Sequence, residues 1–269
     1  MLDRLAGASR RFQVHALVEL DVSEARARIR DAPERVSWSA FVIASTARAI
    51  ARHPCLNARM AGNRLVVFDR VDIGATVERQ AEGRPVLDVM VVPGADRLSC
   101  TEITRLLHDA KVGPAPRHGQ RRLVTQLGRL PGPLRRAAIR VAARRPGVSA
   151  TFGPAVGVTS IGMFTRGWGW AIPLAPLTVI VTVGAVVERP VVRDGVVVAR
   201  PMLPLTLSFD HAVVDGAPAT RFVDTLRDLV ETAAALAESP EGRPADPDQM
   251  SRKTSMVAPS AFSRSARSS

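Results

Sequence analysis

Apolar and polar residues alternate over residues 11–22 (RFQVHALVELDV), a pattern typical of a half-buried strand. The residues that follow favour helices. One helix is predicted to begin at Ser23, capped by its hydroxyl, and to end before Pro33. A second is predicted to begin at Ser37 and to keep helical spacing until Pro54 stops it. This part of the chain therefore predicts a strand followed by two helices.

The rest of the chain combines short strands with isolated helices. Helices are predicted at residues 99–111 and 217–238, and strand-like segments at residues 64–70, 71–79, 85–93, 155–164 and 177–210. The last of these contains a hairpin turn signal, Arg193-Asp194-Gly195. There are no internal repeats. A long β meander with flanking helices predicts an α+β or mixed-sheet α/β fold in one domain, residues 1–238.

Composition limits the class of protein. With 269 residues and 46% hydrophobic residues, the chain is long and apolar enough to bury a core. The longest apolar run, Val179 to Val187, is too short to cross a bilayer, so no transmembrane segment is expected. The two cysteines, Cys55 and Cys100, have no metal-ligand spacing, which predicts no metal site and a reducing cytoplasm. Both are interpreted as buried apolar residues.

The net charge of +12 is unevenly distributed. Residues 117–145 predict two basic amphipathic helices, within a basic insertion at about 116–147. Residues 239–269 are rich in Ser, Arg and Pro and predict a disordered tail. Nucleic acid is disfavoured, because aromatic residues are only 4% of the chain and Tyr is absent. An anionic cofactor, an acidic partner, a membrane surface or simple solvation remains open for the insertion.

The sharpest polar cluster is Asp210-His211-Ala212-Val213-Val214-Asp215-Gly216, which directly follows an apolar strand. A histidine at a strand end can reach a cleft while the sheet holds its backbone. Its ordinary pKa near 6.5 suits a general base, provided that one ring nitrogen is held by an acceptor. Asp210 and Asp215 are candidates for orienting it or supporting the turn. A purely structural histidine is the alternative.

Three segments together resemble a known family. The run 203–231 (LPLTLSFDHAVVDGAPATRFVDTLRDLVE) resembles the terminal motif of the acyltransferase catalytic domain of 2-oxo acid dehydrogenase complexes, within the chloramphenicol acetyltransferase-like superfamily. Residues 51–78 (ARHPCLNARM and the two strands after it) and 156–164 (VGVTSIGMF) look like two further family segments. The resemblance implies a chloramphenicol acetyltransferase-like fold, with a two-layer mixed β-sheet sandwiched with helices.

The resemblance also implies roles for individual residues. His211 matches the general base that deprotonates a thiol of CoA or dihydrolipoamide, and Thr159 matches the hydroxyl residue, usually Ser, that stabilises the oxyanion. Ser160 is the fallback for that donor. Asp215 matches an acidic position that supports the site. A homotrimer or a larger assembly of trimers is implied, in which each site combines the histidine of one subunit with the hydroxyl of its neighbour.

Some positions depart from the family pattern. Ala212 stands where the dehydrogenase branch has Arg, and only Arg4, Arg10 and Arg11 are candidates for the N-terminal Arg of the antibiotic acetyltransferases. The lysines, Lys111 and Lys253, do not fit a lipoyl hairpin, so a lipoyl group is expected only in trans, from a lipoyl-bearing partner or a free molecule. A small-molecule O- or N-acyltransferase and a non-catalytic scaffold relative therefore remain alternatives.

Four other side chains are not assigned a catalytic role. Trp168 and Trp170 are expected either to line a cleft beside Thr159 or to pack in the core. His15 and His108 are interpreted as structural or exposed rather than catalytic.

Overall fold

The computed structural model describes residues 12–61, 64–81, 84–113, 153–162, 167, 169–237 and 254–257. The predicted basic insertion, the three N-terminal arginines, Trp168 and Lys253 lie outside the described residues. The described helices are α1 (Ser23–Asp31), α2 (Trp38–Arg52), α3 (Cys100–Val112), α4 (Gly216–Glu231) and α5 (Ala234–Ala237). The described strands are β1 (Gln13–Asp21), β2 (Ala58–Ala61), β3 (Arg64–Phe68), β4 (Ile73–Ala81), β5 (Arg84–Val92), β6 (Val156–Ser160), β7 (Val179–Val183), β8 (Val187–Arg193), β9 (Val196–Asp210) and β10 (Thr254–Val257).

Seven strands form one mixed sheet. Its order is β1-β9-β7-β6-β4-β5, and β8 pairs with the first half of β9. β6 runs parallel to both β4 and β7, whereas the other pairs are antiparallel. The turn between β8 and β9 has Asp194 and Gly195 at positive φ, of 51° and 79°, as the predicted hairpin signal requires. The mixed α/β prediction is confirmed.

The two faces of this sheet differ in chemistry. Along β9, Leu203, Leu205 and Leu207 belong to the hydrophobic core that includes residues of α2 and α4. The alternate residues Thr206 and Ser208 point to the opposite face, which we call the second face. α2 has buried residues throughout most of its length, so it forms the centre of the helical layer. The helices therefore cover one face, and polar side chains of the sheet point to the other.

Of the two helix caps predicted at Ser37 and Ser23, the structure confirms the first and contradicts the second. Ser37 caps α2, accepting a hydrogen bond from the Ala40 N–H at 3.2 Å. The predicted cap of α1 by Ser23 was wrong. Ser23 is the first helical residue, and both its N–H and its hydroxyl donate to the Asp21 carboxylate, at 3.0 and 2.6 Å. The carboxylate satisfies these donors because it lies two residues upstream, at the end of β1.

A second, smaller sheet has the order β10-β3-β2. Residues 254–257 were predicted to belong to a disordered tail, and the structure differs here, since they pair with β3. The remainder of the predicted tail lies outside the described residues. The small sheet contacts the main sheet through Thr178, whose hydroxyl donates to the Ala58 carbonyl of β2.

Candidate active site

His211 follows β9 and is held by backbone groups on both sides. Its N–H donates to the Phe12 carbonyl at 2.8 Å, which continues the pairing of β9 with β1. Its ring Nδ1 lies 2.9 Å from the Val214 carbonyl. A carbonyl only accepts, so Nδ1 carries the proton and the Nε2 lone pair is left for another group. The residue is exposed, which makes this nitrogen accessible.

Asp210 builds the turn beneath His211. It is 2% exposed, and its carboxylate accepts a hydrogen bond from the Ala212 N–H at 3.2 Å. Its carbonyl accepts from the Val213 and Val214 N–H groups at 2.9 and 3.0 Å. These bonds place the Val214 carbonyl beside the imidazole. Asp210 therefore shapes the turn, and a backbone carbonyl, which no sequence motif identifies, orients the histidine.

Asp215 occupies the N-cap of α4 but makes no capping hydrogen bond through its side chain. It is exposed, and within the described residues no hydrogen bond joins its carboxylate to His211. Its carbonyl accepts from the Ala219 N–H at 3.2 Å, which starts the helix. The structure thus places Asp215 at the start of α4, four residues after His211.

Thr159 lies near the end of β6 and is partly buried, as is Ser160. It is in register with Thr182 of β7, which is in register with Thr206 of β9. All three therefore share the second face. The hydroxyls of Thr182 and Thr206 are buried and have no hydrogen-bond partner among the described residues. Sequence reasoning identified Thr159 but missed its two neighbours, because the pairing of distant strands creates the row.

Thr159 and His211 lie at different ends of the sheet. His211 is five residues beyond Thr206 (211 − 206 = 5), which is in register with Thr159 through β7. At about 3.3 Å per residue along β9 and about 4.8 Å between strands, the two residues are roughly 19 Å apart. No reacting group can contact both in a single chain. A site that uses both residues requires a second copy.

The remaining predicted residues lie away from His211. The indole of Trp170 donates to the Val18 carbonyl at 3.3 Å, so it reaches β1, three strands from β6. His15 Nδ1 lies 2.8 Å from the Ser208 hydroxyl on the second face, and His108 is exposed on α3. Burial raises the pKa of the Cys55 thiol, which is partly buried.

Cys100, the first residue of α3, is buried. Burial raises the pKa of its thiol to about 11, and the thiol donates to the Ala235 carbonyl at 3.2 Å. A thiol with such a pKa remains protonated at neutral pH, so it is not a nucleophile. The interpretation of Cys100 as a buried residue agrees with this geometry, whereas Cys55 is only partly buried.

Comparison with solved structures defines the class of fold. Chloramphenicol acetyltransferase matches 85% of this chain and 94% of its own, with a TM-score of 0.51 and 14% identity. The cubic core of the pyruvate dehydrogenase multienzyme complex matches 88% of each chain, with a TM-score of 0.63 and 22% identity. The dihydrolipoamide acetyltransferase of Azotobacter vinelandii matches 88% of each chain, with a TM-score of 0.63 and 21% identity. The predicted chloramphenicol acetyltransferase-like fold is confirmed.

The family follows from the sequence match. The model of the 2-oxoacid dehydrogenases acyltransferase (catalytic domain) matches residues 6–115 and 127–238. The chain therefore belongs to this family, as its motifs predicted. The succinyltransferase component of the 2-oxoglutarate dehydrogenase complex of Cupriavidus necator is 28% identical over 203 residues, 75% of this chain and 41% of that protein. The chain thus spans less than half the length of the first curated relatives it matches, at 41 and 48%.

In the described part of the chain, none of the helices has the length and apolar character needed to span a bilayer.

Proposed function

We propose that this chain transfers an acyl group between CoA and a dihydrolipoamide-type thiol, with His211 as the general base. The observation that carries the proposal is the tautomer of His211. Because Nδ1–H donates to the Val214 carbonyl, Nε2 is the nitrogen that accepts a proton, and it is exposed at a strand end. An imidazole with a free ring nitrogen can take the proton of a thiol acceptor that reaches it.

The reaction needs one proton to move and return. Nε2 of His211 takes the proton of the attacking thiol, and the sulfur attacks the thioester carbonyl to give a tetrahedral oxyanion. When the carbon–sulfur bond of the leaving thiol breaks, the imidazolium returns the proton to that sulfur. The Val214 carbonyl faces Nδ1–H throughout, so it stabilises the imidazolium.

Thr159 is the proposed donor to the oxyanion. In the A. vinelandii enzyme, a serine, a histidine and an asparagine were investigated for their roles in catalysis, the serine 52 residues before the histidine and the asparagine four after it. Here Thr159 lies 52 residues before His211 (211 − 159 = 52) and Asp215 four after it (215 − 211 = 4). The equal spacing supports roles for Thr159 and Asp215 at the same site.

A shared site between copies follows from the distance between these residues. Thr159 and His211 cannot meet in one chain, so His211 of one copy acts with Thr159 of another. The cubic core among the structural matches supports an assembly of trimers. Lys111 lies in helix α3 rather than on a hairpin, so it does not present a lipoyl group to this site.

Ala212 favours a second candidate, a small-molecule O- or N-acyltransferase. Its N–H donates to the Asp210 carboxylate and its side chain carries no charge, so residue 212 places no cation beside His211. A neutral acceptor that needs no cation would fit this site.

A mixing experiment tests the proposal. Purified chain with acetyl- or succinyl-CoA is offered dihydrolipoamide, or a panel of alcohols and amines, and CoA release is followed. We expect His211→Ala and Thr159→Ala each to lower kcat, by about a hundredfold or more for each. Mixed assemblies of the two variants regain part of the activity with dihydrolipoamide. Activity with alcohols or amines alone would select the second candidate.

Equal background rates for the unmodified chain and His211→Ala with every acceptor would exclude both enzymes. If verified subunit exchange restored no activity, the shared site would be excluded.

A further inference from the structure

The segment beyond the family match pairs with the small sheet. The match ends at residue 238, yet Thr254–Val257 forms β10 and pairs antiparallel with β3. β10 lies on the side of β3 opposite to β2. It therefore covers an edge of β3 that would otherwise present unpaired main-chain groups, which are a template for any extended segment.

Main-chain geometry shows which groups of β3 face this edge. The Phe68 N–H donates to the Asn57 carbonyl at 2.9 Å, on the β2 side. Successive N–H groups of a strand point to opposite sides, so the Val66 N–H also points toward β2. The N–H groups of Leu65 and Val67 point the other way, toward β10.

The register then identifies the bonded pairs of β10. Val67 lies opposite Ser255, and Leu65 lies opposite Val257. These pairs exchange main-chain hydrogen bonds, because Val67 and Leu65 direct their N–H groups outward from β2. The Met256 N–H, by alternation, points away from β3. A change at Ser255 thus removes a ladder hydrogen bond, whereas the same change at Met256 does not.

The connection allows the segment to act as a separable ligand. Sixteen residues lie between α5 and β10 (253 − 238 + 1 = 16). A chain of that length can reach at most roughly 50 Å. A short tether of this kind gives an effective concentration on the order of millimolar. A four-residue strand that binds weakly by itself is therefore held at the edge by its connection.

The docking edge is connected to the candidate active site. The Ala58 carbonyl of β2 accepts the Thr178 hydroxyl, and the Thr178 carbonyl accepts the Asp210 N–H at 2.9 Å. Asp210 shapes the turn of His211. The small sheet that β10 completes therefore abuts the end of the main sheet that carries the histidine.

We propose that the outer edge of β3 is a strand-docking site and that Thr254–Val257 of the same chain is its resident ligand. The site recognises main-chain groups of an extended segment rather than a particular side chain. It lies outside the proposed catalytic chemistry and does not depend on it.

Hydrogen exchange of single amides in the full chain tests the first part. Ser255→Pro removes a bonded N–H, so we expect the Leu65 and Val67 amides to exchange at least about tenfold faster, with Val66 and Phe68 unchanged. Met256→Pro is the matched control. It should retain the protection of Leu65 and Val67, since an edge strand tolerates proline where its N–H faces solvent.

A peptide in trans tests the second part. A synthetic peptide of residues 251–260, at about 1 mM, should restore protection of Leu65 and Val67 in the Ser255→Pro chain. The same peptide N-methylated at Ser255 should fail, whereas N-methylation at Met256 should leave it effective.

Three results would overturn the proposal. One is unchanged exchange at Leu65 and Val67 in Ser255→Pro. Another is failure of the unmodified peptide to restore protection. The third is protection in the unmodified chain that decreases on dilution, which would assign the strand to another copy. Because exchange is measured without substrate, these results are independent of whether the chain is an acyltransferase.

Discussion

Two threonines of the second face are buried with their hydroxyls unpaired in the described part of the chain, Thr182 and Thr206. A third buried threonine, Thr178, donates its hydroxyl to the Ala58 carbonyl. A buried hydroxyl without a partner carries a desolvation cost, whereas one with a partner stabilises the fold. All three are buried threonines. Comparing their variants therefore separates the contribution of the hydrogen bond to the free energy of unfolding from that of the side chain's shape.

We expect Thr206→Val to raise the free energy of unfolding by up to about 1 kcal/mol, because the valine fills the same space without an unpaired hydroxyl. Thr178→Val should lower it by about 1–3 kcal/mol, because the Ala58 carbonyl loses its donor. Urea denaturation of the unmodified chain and both variants measures the difference. A loss for Thr206→Val as large as that for Thr178→Val would show that its hydroxyl has a partner.

At the residue scale, the sequence predicted the site unevenly. His211 could be identified because a polar cluster directly after an apolar strand is a local signal. The group that orients His211 could not be identified, because every residue has a backbone carbonyl. Only the geometry of the turn directs the Val214 carbonyl toward the imidazole. Thr182 and Thr206 were also beyond reach, because their alignment with Thr159 depends on the register of three strands that are distant in sequence.

Among the elements, His53 at the end of α2 connects that helix to α4 through a hydrogen bond. Its Nε2 lies 2.8 Å from the Thr225 hydroxyl, which donates its own proton to the Arg221 carbonyl at 2.9 Å. The imidazole is therefore the donor to Thr225. Burial lowers the pKa of His53, and the positive charges of Arg221 and Arg52 lower it further.

This lowered pKa predicts a dependence of stability on pH. In the unfolded chain His53 takes up a proton near its ordinary pKa of about 6.5, whereas the folded chain resists it. Its contribution to stability is thus fully present above about pH 6.5 and is lost as the pH falls toward the folded pKa. His53→Gln keeps a donor to Thr225 without the titration, so we expect its denaturation midpoint to fall less than that of the unmodified chain between about pH 7.5 and 5.5. Parallel pH profiles would contradict this.

Helices and strands were predicted correctly where neighbouring residues determine them, and incorrectly where a contact from elsewhere in the chain does. The helices at residues 99–111 and after Ser37 were predicted because capping and apolar spacing are local, and Ser99 forms a full capping box with Glu102. The start of α1 was misassigned because Asp21, at the end of a strand, supplies the acceptor. The strand at residues 254–257 has little apolar periodicity, and its pairing depends on the β3 edge.

For the whole molecule, the second face has a large apolar residue that a single chain leaves uncovered. Leu17 of β1 is in register with Thr206, hence with Thr159, and it is 51% exposed. An exposed leucine on the face of the proposed oxyanion donor is what a shared site requires, since a second copy must approach that face.

We therefore expect the substitution Leu17→Glu to prevent copies of the chain from associating. A carboxylate that is buried in an interface without a partner costs on the order of several kcal/mol of association free energy. We expect the variant to remain folded, as its circular dichroism and denaturation midpoint would show, but to have the mass of a single chain in light scattering and to lack acyltransferase activity.

Leu106→Glu is the matched control. This exposed leucine lies on α3, in the helical layer, so its replacement should leave both mass and activity unchanged. If Leu17→Glu kept the assembled mass, or if Leu106→Glu lost it equally, the second face would not be the surface on which copies meet, and the approach of His211 to Thr159 would have to occur elsewhere.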